Sequence, residues 1–380
     1  MNTTVCGKIA QANPRSIRMR GDLDPQSHLF SYFSPESRVP ATHPLRAIKR
    51  LGDEALVKLA RTFEEMYSTT GRPSIPPERL LKASLLIALY SVRSDRLFCE
   101  MLDYHILFRW FLDMNLEEPS FDASTFSKNR ERLMEHEVAA KFFDVVVRIA
   151  KGEGLLSDEH FTVDGTLIEA WASLKSFKPR GANDTDPPDD PGNPTVDFRG
   201  ESRSNATHES TTDSEAKLMR KGAGKEARLC FGAHALMENG HGLLMDIRIA
   251  TATTHETHAA DGLITRARGR GIRVGTLGGD RGYHTRPFVA RLRRRRVMPH
   301  IARIEGRCTP GLDARTTRHA TYAVSQRKRK RIEEIFGWMK VIGGFRKTRF
   351  HGIERTQLAA YLVGTAYNLL RLSRLSPATG

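Results

Sequence analysis

At about residue 156 the chain changes texture, and the order of elements after that point admits few folds. Residues 160–168 read as a strand interrupted by a single acid, Asp164. Residues 228–237 and 242–250 read as two further strands joined through Glu238, Asn239, Gly240 and His241, a turn sequence where a hairpin needs one. A helix over about 255–268 leads to a strand over 272–280. A helix over 286–295, a strand over 297–302 and a last basic helix follow. Antiparallel strands first and strand–helix alternation afterwards predict an α/β domain, a mixed sheet with helices on its faces.

Residues 42–155 have a different period. Apolar residues recur every 3.6 positions through Leu80, Leu81, Leu85 and Leu86 and again from Leu97 to Met114, so this stretch is expected to be all-helical. Pro76 and Pro77 suit the first turn of one of its helices. The division expected is therefore an N-terminal arm over 1–41, a helical domain over 42–155 and the mixed-sheet domain over 156–375. Within the last, about 178–226 is poor in large apolar residues, and its run of Asp and Pro over 184–194 predicts a long polar loop. That loop carries Lys217, Arg220, Lys221 and Lys225, which would meet a DNA backbone or serve as solvated cations. In the helical domain, residues 120–132 offer cap residues followed by a short helix with Lys128, Arg130 and Arg132. Two readings stand side by side there: a helix-turn-helix presenting these cations to DNA, or a bundle helix with an ordinary charged face.

Charge narrows the partners. A formal net charge of +16 over 380 residues points to a polyanion. The longest apolar run, Ala83 to Val92, is too short to span a membrane, and the N-terminus lacks the apolar core of a secretory signal. Cys6, Cys99, Cys230 and Cys308 are scattered, which supports neither a zinc ribbon nor a disulfide framework and fits a reducing cytoplasm.

Against this basic background, residues 327–340 place Glu333 and Glu334 inside a strongly cationic, helix-forming run. A chain that only grips phosphate gains nothing from acids there, whereas one that cuts phosphodiesters needs metal-binding carboxylates beside cations. At 100° per residue, Ile332, Ile335, Phe336 and Met339 form an apolar stripe. Arg329, Glu333 and Lys340 share a sector of roughly 40° beside it, while Glu334 projects about 100° further round. Glu333 is thus the candidate ligand and Glu334 a surface charge. Two more acids fit the pattern: Asp164, flanked by Phe161, Val163, Leu167 and Ile168, and Asp280, at the end of a strand. An ionised carboxylate in a strand core is costly unless it is paired or bound to metal.

These residues resemble the DDE transposases of bacterial insertion sequences. Arg329-x3-Glu333-x6-Lys340 is similar to the signature Tyr-x2-Arg-x3-Glu-x6-Lys of one large subgroup, Asp164-Gly165-Thr166 to the family's first acidic motif, and Gly279-Asp280-Arg281-Gly282-Tyr283 to its second. The signature's tyrosine falls at Gln326, a departure. The resemblance implies a ribonuclease H-like core in which Asp164, Asp280 and Glu333 hold two Mg²⁺ ions, with Mn²⁺ able to substitute. It implies cleavage at insertion-sequence ends and transfer of the 3′-hydroxyl ends to target DNA by a homo-oligomer in the cytoplasm, at the nucleoid. Arg329 and Lys340 would hold phosphates, with Lys128, Arg130, Arg132 and Lys221 as further DNA contacts. The alternatives are a catalytically silent repressor descended from such an enzyme, and a nuclease on the same core without strand transfer.

Other motifs lead elsewhere and are set aside. His255-Glu256-Thr257-His258 has its histidines three apart rather than the four a metalloprotease helix needs, so it reads as a polar helix start. Gly222-Ala223-Gly224-Lys225 lacks the first glycine and the Ser/Thr of a phosphate loop, so no nucleotide cofactor is expected. Trp338 and Tyr283 read as core aromatics before base-stacking ones, and Asn205-Ala206-Thr207 matches a glycosylation acceptor only formally.

Overall fold

The computed structural model describes residues 34–67, 74–181, 197–198, 201–222 and 224–375. Most of the N-terminal arm and the Asp/Pro run at 184–194 lie outside them. The N-terminal part is helical: α1 (Pro35–Arg38), α2 (Pro44–Val57), α3 (Ala60–Met66), α4 (Pro77–Leu89), α5 (Asp95–Tyr104), α6 (Ile106–Phe111), α7 (Ala123–Glu135) and α8 (Val138–Gly152). Start signals are visible at three of these helices. Pro77 opens α4, Ser94 Oγ accepts from Leu97 N at 3.1 Å to cap α5, and Asp122 accepts from Ser124 N and Thr125 N to cap α7.

The remaining elements are β1 (His160–Glu169), β2 (Phe177–Pro179), β3 (Asp197–Phe198), β4 (Glu201–Ser202), β5 (His208–Ser210), β6 (Lys217–Arg220), β7 (Ala227–Glu238) and β8 (Leu243–Thr251). Then come α9 (Glu256–Gly269), β9 (Thr276–Gly279), α10 (Arg286–Arg294), β10 (Met298–Ile301), α11 (Ala314–Thr317), α12 (Ala320–Lys328), α13 (Ile332–Val341) and α14 (Ile353–Leu375). The main sheet runs β10-β9-β1-β7, with β8 and β6 both on the far side of β7. β1, β7 and β8 pair antiparallel, whereas β9 is parallel to β1 and β10 parallel to β9. This is the mixed sheet the element order predicts, and it is the ribonuclease H-like arrangement.

The β7–β8 hairpin is fixed by a buried acid. Glu238, fully buried, accepts from Gly240 N at 2.6 Å and His241 N at 2.7 Å, and Gly242 adopts φ +72°, which favours glycine. β8 covers only the later part of β7, and β6 pairs with the four residues that β8 leaves, Ala227 to Cys230. This corrects the expectation of an unbroken polar loop over 178–226. By covering that stretch β6 pairs backbone groups that an open sheet edge would leave unpaired, and the described part of the segment also contributes β5 to a separate β2–β5 ladder.

Successive residues of β1 serve opposite faces of the sheet. On one face α9 packs against β1, β7 and β8. On the other, α12, the tight turn Arg329–Arg331 and α13 pack against β1. The basic run is therefore not one continuous helix: a 3₁₀ turn separates α12 from α13. The end of α12 is pinned to the sheet by Ser325 Oγ, 2.7 Å from His300 Nδ1 and 3.0 Å from His160 Nδ1, while α13 packs on β1 and α14. α14 joins the two regions, packing on β8 and on α2, α4 and α8, so that one continuous apolar cluster runs through both.

Candidate active site

Two parallel strands carry the first two acids to one edge of the sheet. The β1–β9 register pairs His160 with Thr276 and Thr162 with Gly278; carried two residues on, it sets Asp164 level with Asp280 on the same face. Asp164 Oδ1 accepts from Gly165 N at 2.8 Å. Burial pushes the Asp164 carboxyl up to about 6. The Gly165 N–H pulls the other way, Asp280 and Glu333 add to the rise, and Arg329 opposes it. Asp280 closes β9 and caps the short 3₁₀ turn Arg281–Tyr283, its Oδ1 accepting from Gly282 N at 2.8 Å.

The α13 side supplies the third acid and the cations. Glu333 is exposed on the first turn of α13, and its charge reaches Asp164. Glu334, also exposed, acts on Tyr367 instead, as the helical projection separates them. A methyl carbon at Gly278 would stand 3.2 Å from Thr162 Oγ1 and 3.6 Å from Arg329 Cβ, and Lys340 Nζ donates to Thr166 Oγ1 at 2.6 Å. Arg329 and Lys340 thus flank Asp164 along its own face of β1. Gln326, where the family signature has tyrosine, ties this end together: its Nε2 donates to His300 O at 2.5 Å, and its Oε1 accepts from Arg329 Nε at 3.2 Å.

Lys340 also lines a cleft with Lys221, Lys225, Arg228 and Arg346. Burial pushes its ammonium pKa down, and Lys221 and Arg346 add to that. The α7 cations divide. Lys128 is exposed, and Arg132 lies 4.9 Å over the Tyr67 ring. Arg130 is ion-paired with Asp95 and lies 4.9 Å over Phe350, so its charge is engaged inside the fold.

Three further residues, Glu256, His234 and Tyr283, lie near the acids and were not expected in the site from the sequence. His255 does start α9, its Nδ1 accepting from Thr257 N at 3.3 Å, but the next residue, Glu256, points back at the acids. Burial raises the Glu256 pKa, and Asp280 and Asp164 raise it further. His234, opposite Gly165, and Tyr283 are both buried, and neither His234 ring nitrogen nor the Tyr283 hydroxyl has a hydrogen-bond partner among the described residues. Strand direction was the available clue: β8 runs the same way as β1 and β9, so the helix after it begins at the edge where β9 ends in Asp280.

Family comparisons place the chain in a class. Residues 33–132 match the model "Transposase domain (DUF772)", and residues 189–369, which include Asp280 and Glu333, match "Transposase DDE domain". The protein is a transposase. More particularly, it belongs to the DDE transposases of insertion-sequence type. Among solved structures it is similar to a piggyBac transposase synaptic complex with hairpin DNA, at 10% identity and TM-score 0.40 over 90% of this chain and 78% of that one. It is also similar to a pre-cleavage Mos1 transpososome, at 10% identity and TM-score 0.20 over 80% and 81%. No curated protein matches the chain. Among the described residues, no helix is long and apolar enough to cross a membrane.

Proposed function

We propose that this transposase cleaves insertion-sequence ends and transfers the freed 3′-hydroxyl ends to target DNA, with Asp164, Asp280 and Glu333 holding two Mg²⁺ ions for which Mn²⁺ substitutes. The observation that carries the reading is that β1, which holds Asp164, runs parallel to β9, which ends just before Asp280, so that the Thr162–Gly278 register extended by two residues would set the two acids side by side, while Glu333 lies on the first turn of α13, which packs on β1. The donor set fits the ion, since all three are carboxylate oxygens, the ligands a hard divalent cation takes. Among the described residues no three His, Cys, Asp or Glu side chains gather into a metal cage. Magnesium is commonly held by one or two carboxylates and completed by water and substrate phosphate, which is the arrangement a pair of acids per ion provides. When bound, the two ions stabilise charge on the attacking and leaving oxygens of an in-line displacement.

The protein's own part is placement. Asp164 would be a metal ligand in company with Asp280 and Glu333, whose charges both raise its carboxyl pKa. Arg329, held by Gln326, and Lys340, held by Thr166, bracket Asp164 and bind the phosphates on either side of the scissile bond. Lys221, in the same cleft as Lys340, extends that track. In the helical domain the exposed Lys128 and the Arg132 beside Tyr67 are the cations offered to DNA, with Arg130 left to brace α7. The working unit is a homo-oligomer assembled on terminal repeats, acting in the cytoplasm at the nucleoid.

Cleavage and joining of an end-bearing duplex with Mg²⁺ test the reading. Asp280→Asn and Glu333→Gln should abolish both products while leaving DNA binding. Wild-type activity in either variant refutes the assignment. Cleavage without joined products in the native protein would reduce the function to hydrolysis, and binding without cleavage would reduce it to a repressor's.

A further inference from the structure

Just past the end of β1 the chain turns its largest apolar side chain outward. In the run Ala170-Trp171-Ala172-Ser173 both alanines are buried, while the indole of Trp171 is 52% exposed. Folding ordinarily buries the large apolar residue and leaves the small ones outside. The other tryptophans follow that rule: Trp110 is buried, and Trp338 packs on Tyr367 with ring centres 5.6 Å apart. The backbone around Trp171 is fixed on both sides. Ala170 N donates to Leu229 O at 2.8 Å, and Ser176 Oγ, in the 3₁₀ turn Leu174–Ser176 that follows, lies 2.7 Å from Ser210 Oγ on β5. The exposed indole is therefore held in place by ordered chain, which lowers the ordering cost of binding to it.

The surroundings of Trp171 are cationic. Residues 346–348 run beside the end of β1, with Glu169 N donating to Arg346 O at 3.0 Å and Thr348 N to Glu169 O at 2.8 Å. Lys347 Nζ lies 5.4 Å from the centre of the Trp171 ring. Arg346 and Glu169 also line the cleft that holds Lys340, Lys221 and Lys225. Along β1 the order is thus Asp164, Thr166 with Lys340 bonded to it, Glu169 at the cleft, and then Trp171. The acids of the cleft, Glu169 and Glu226, are both paired with Arg228, which leaves the lysines and Arg346 to set its charge. An aromatic face at the end of a cationic groove is the combination that holds an unpaired nucleic-acid strand.

We propose that Trp171 is a stacking platform for one unpaired base of a DNA strand whose phosphates lie along the Lys340 cleft. A base inside a duplex already has both faces covered by its neighbours, so the base that meets the indole is one that has left the stack. Stacking on an indole face is tolerant of sequence, and the cations beside it hold the backbone. Even fully extended, the chain from Asp164 to Trp171 spans no more than about 25 Å. At 3.4 Å per nucleotide the stacked base then lies within about seven nucleotides of a phosphate at the acids. The inference rests on the DNA-cleaving reading for its ligand, and it requires neither metal nor cleavage.

The test is metal-free binding of the full chain, by fluorescence anisotropy, to a duplex with a single-stranded thymidine overhang of about ten nucleotides, with the blunt duplex as control. A 2-aminopurine scanned through the overhang reports stacking by its quenching. Trp171→Ala should bind the overhang DNA about fivefold to a hundredfold more weakly, lose the quenching, keep the salt slope and bind the blunt duplex as the native protein does. Trp171→Tyr, which keeps an aromatic face, should restore most of the affinity. If Lys221→Ala weakens binding and Trp171→Ala does not, the platform falls and the cationic cleft stands. Equal losses on overhang and blunt DNA, or a changed sedimentation coefficient with unchanged DNA affinity, overturn the proposal, the latter making Trp171 a contact between copies. Quenching by a native protein that does not cleave with Mg²⁺ would sink the catalytic reading and leave the platform. Should Trp171→Ala fail to fold in a thermal unfolding check, Trp171→Leu carries the test: native affinity and quenching there overturn the proposal.

Discussion

Neutralising Asp164 should stabilise the metal-free protein, and only at neutral and alkaline pH. Its carboxyl is pushed by burial from the ordinary 3.8 up to about 6, with Asp280 and Glu333 contributing. Between those two values the folded state keeps the proton and the unfolded state has lost it, so stability declines as pH rises through the window and stays reduced above about 6. At ~1.4 kcal/mol per pH unit the ionised form costs roughly 3 kcal/mol at pH 8. Asp164→Asn removes that cost. Its side-chain oxygen keeps the hydrogen bond from Gly165 N, but its amide needs an acceptor, which gives back about 1 kcal/mol. The net expectation is a gain of about 1–2 kcal/mol at pH 8, turning to a small loss at pH 4. Urea unfolding in EDTA at both pH values measures it through the midpoint at constant slope. An Asp164→Asn protein that is less stable than the native one by the same amount at both pH values refutes the reasoning.

Two buried histidines titrate in the opposite sense. Burial pushes His234 and His300 down to about 4, so the unfolded chain takes up protons near 6.5 while the folded one cannot. The stability they provide is complete above about pH 6.5 and is lost as pH falls toward 4, and His300→Asn should flatten that loss in circular-dichroism unfolding curves. Asp246 is fully buried, with Arg266 Nε at 2.7 Å and Arg270 Nη1 at 3.6 Å, so Asp246→Ala should cost about 3–5 kcal/mol by denaturant unfolding. Glu131→Ala, which breaks the exposed pair with Arg355 at 2.9 Å, should cost under about 1 kcal/mol in the same assay. Lys340→Ala should lower the slope of log affinity for DNA against log salt by about 0.9, the loss of one phosphate contact, measured by fluorescence anisotropy.

The sheet was legible because hydrophobic period and turn chemistry agree locally. The β7–β8 hairpin and the helices α9 and α10 stand close to where the residues place them. The separation of Glu333 from Glu334 was legible for the same reason, since one helical turn fixes their projection. What the sequence hid depends on pairing across long separations. β6 forms because β7 outruns β8, and nothing within residues 217–220 announces that. The break at Arg329–Arg331 comes from Ser325 meeting two histidines on different strands. Arg130 looked like an exposed helix cation until Asp95 and Phe350 came beside it. Glu256 was masked by its neighbours: the His255-x2-His258 spacing drew attention to zinc and away from the acid between them.

The central claim concerns two adjacent exposed glutamates of opposite fate, and the most direct measurement compares them. Single-turnover cleavage of an end-bearing duplex with saturating Mg²⁺ should fall by about a hundredfold or more in Glu333→Gln, the scale of losing one transition-state-stabilising group, and stay within a few-fold of native in Glu334→Gln. Equal losses in the two variants, or an active Glu333→Gln, would contradict the account.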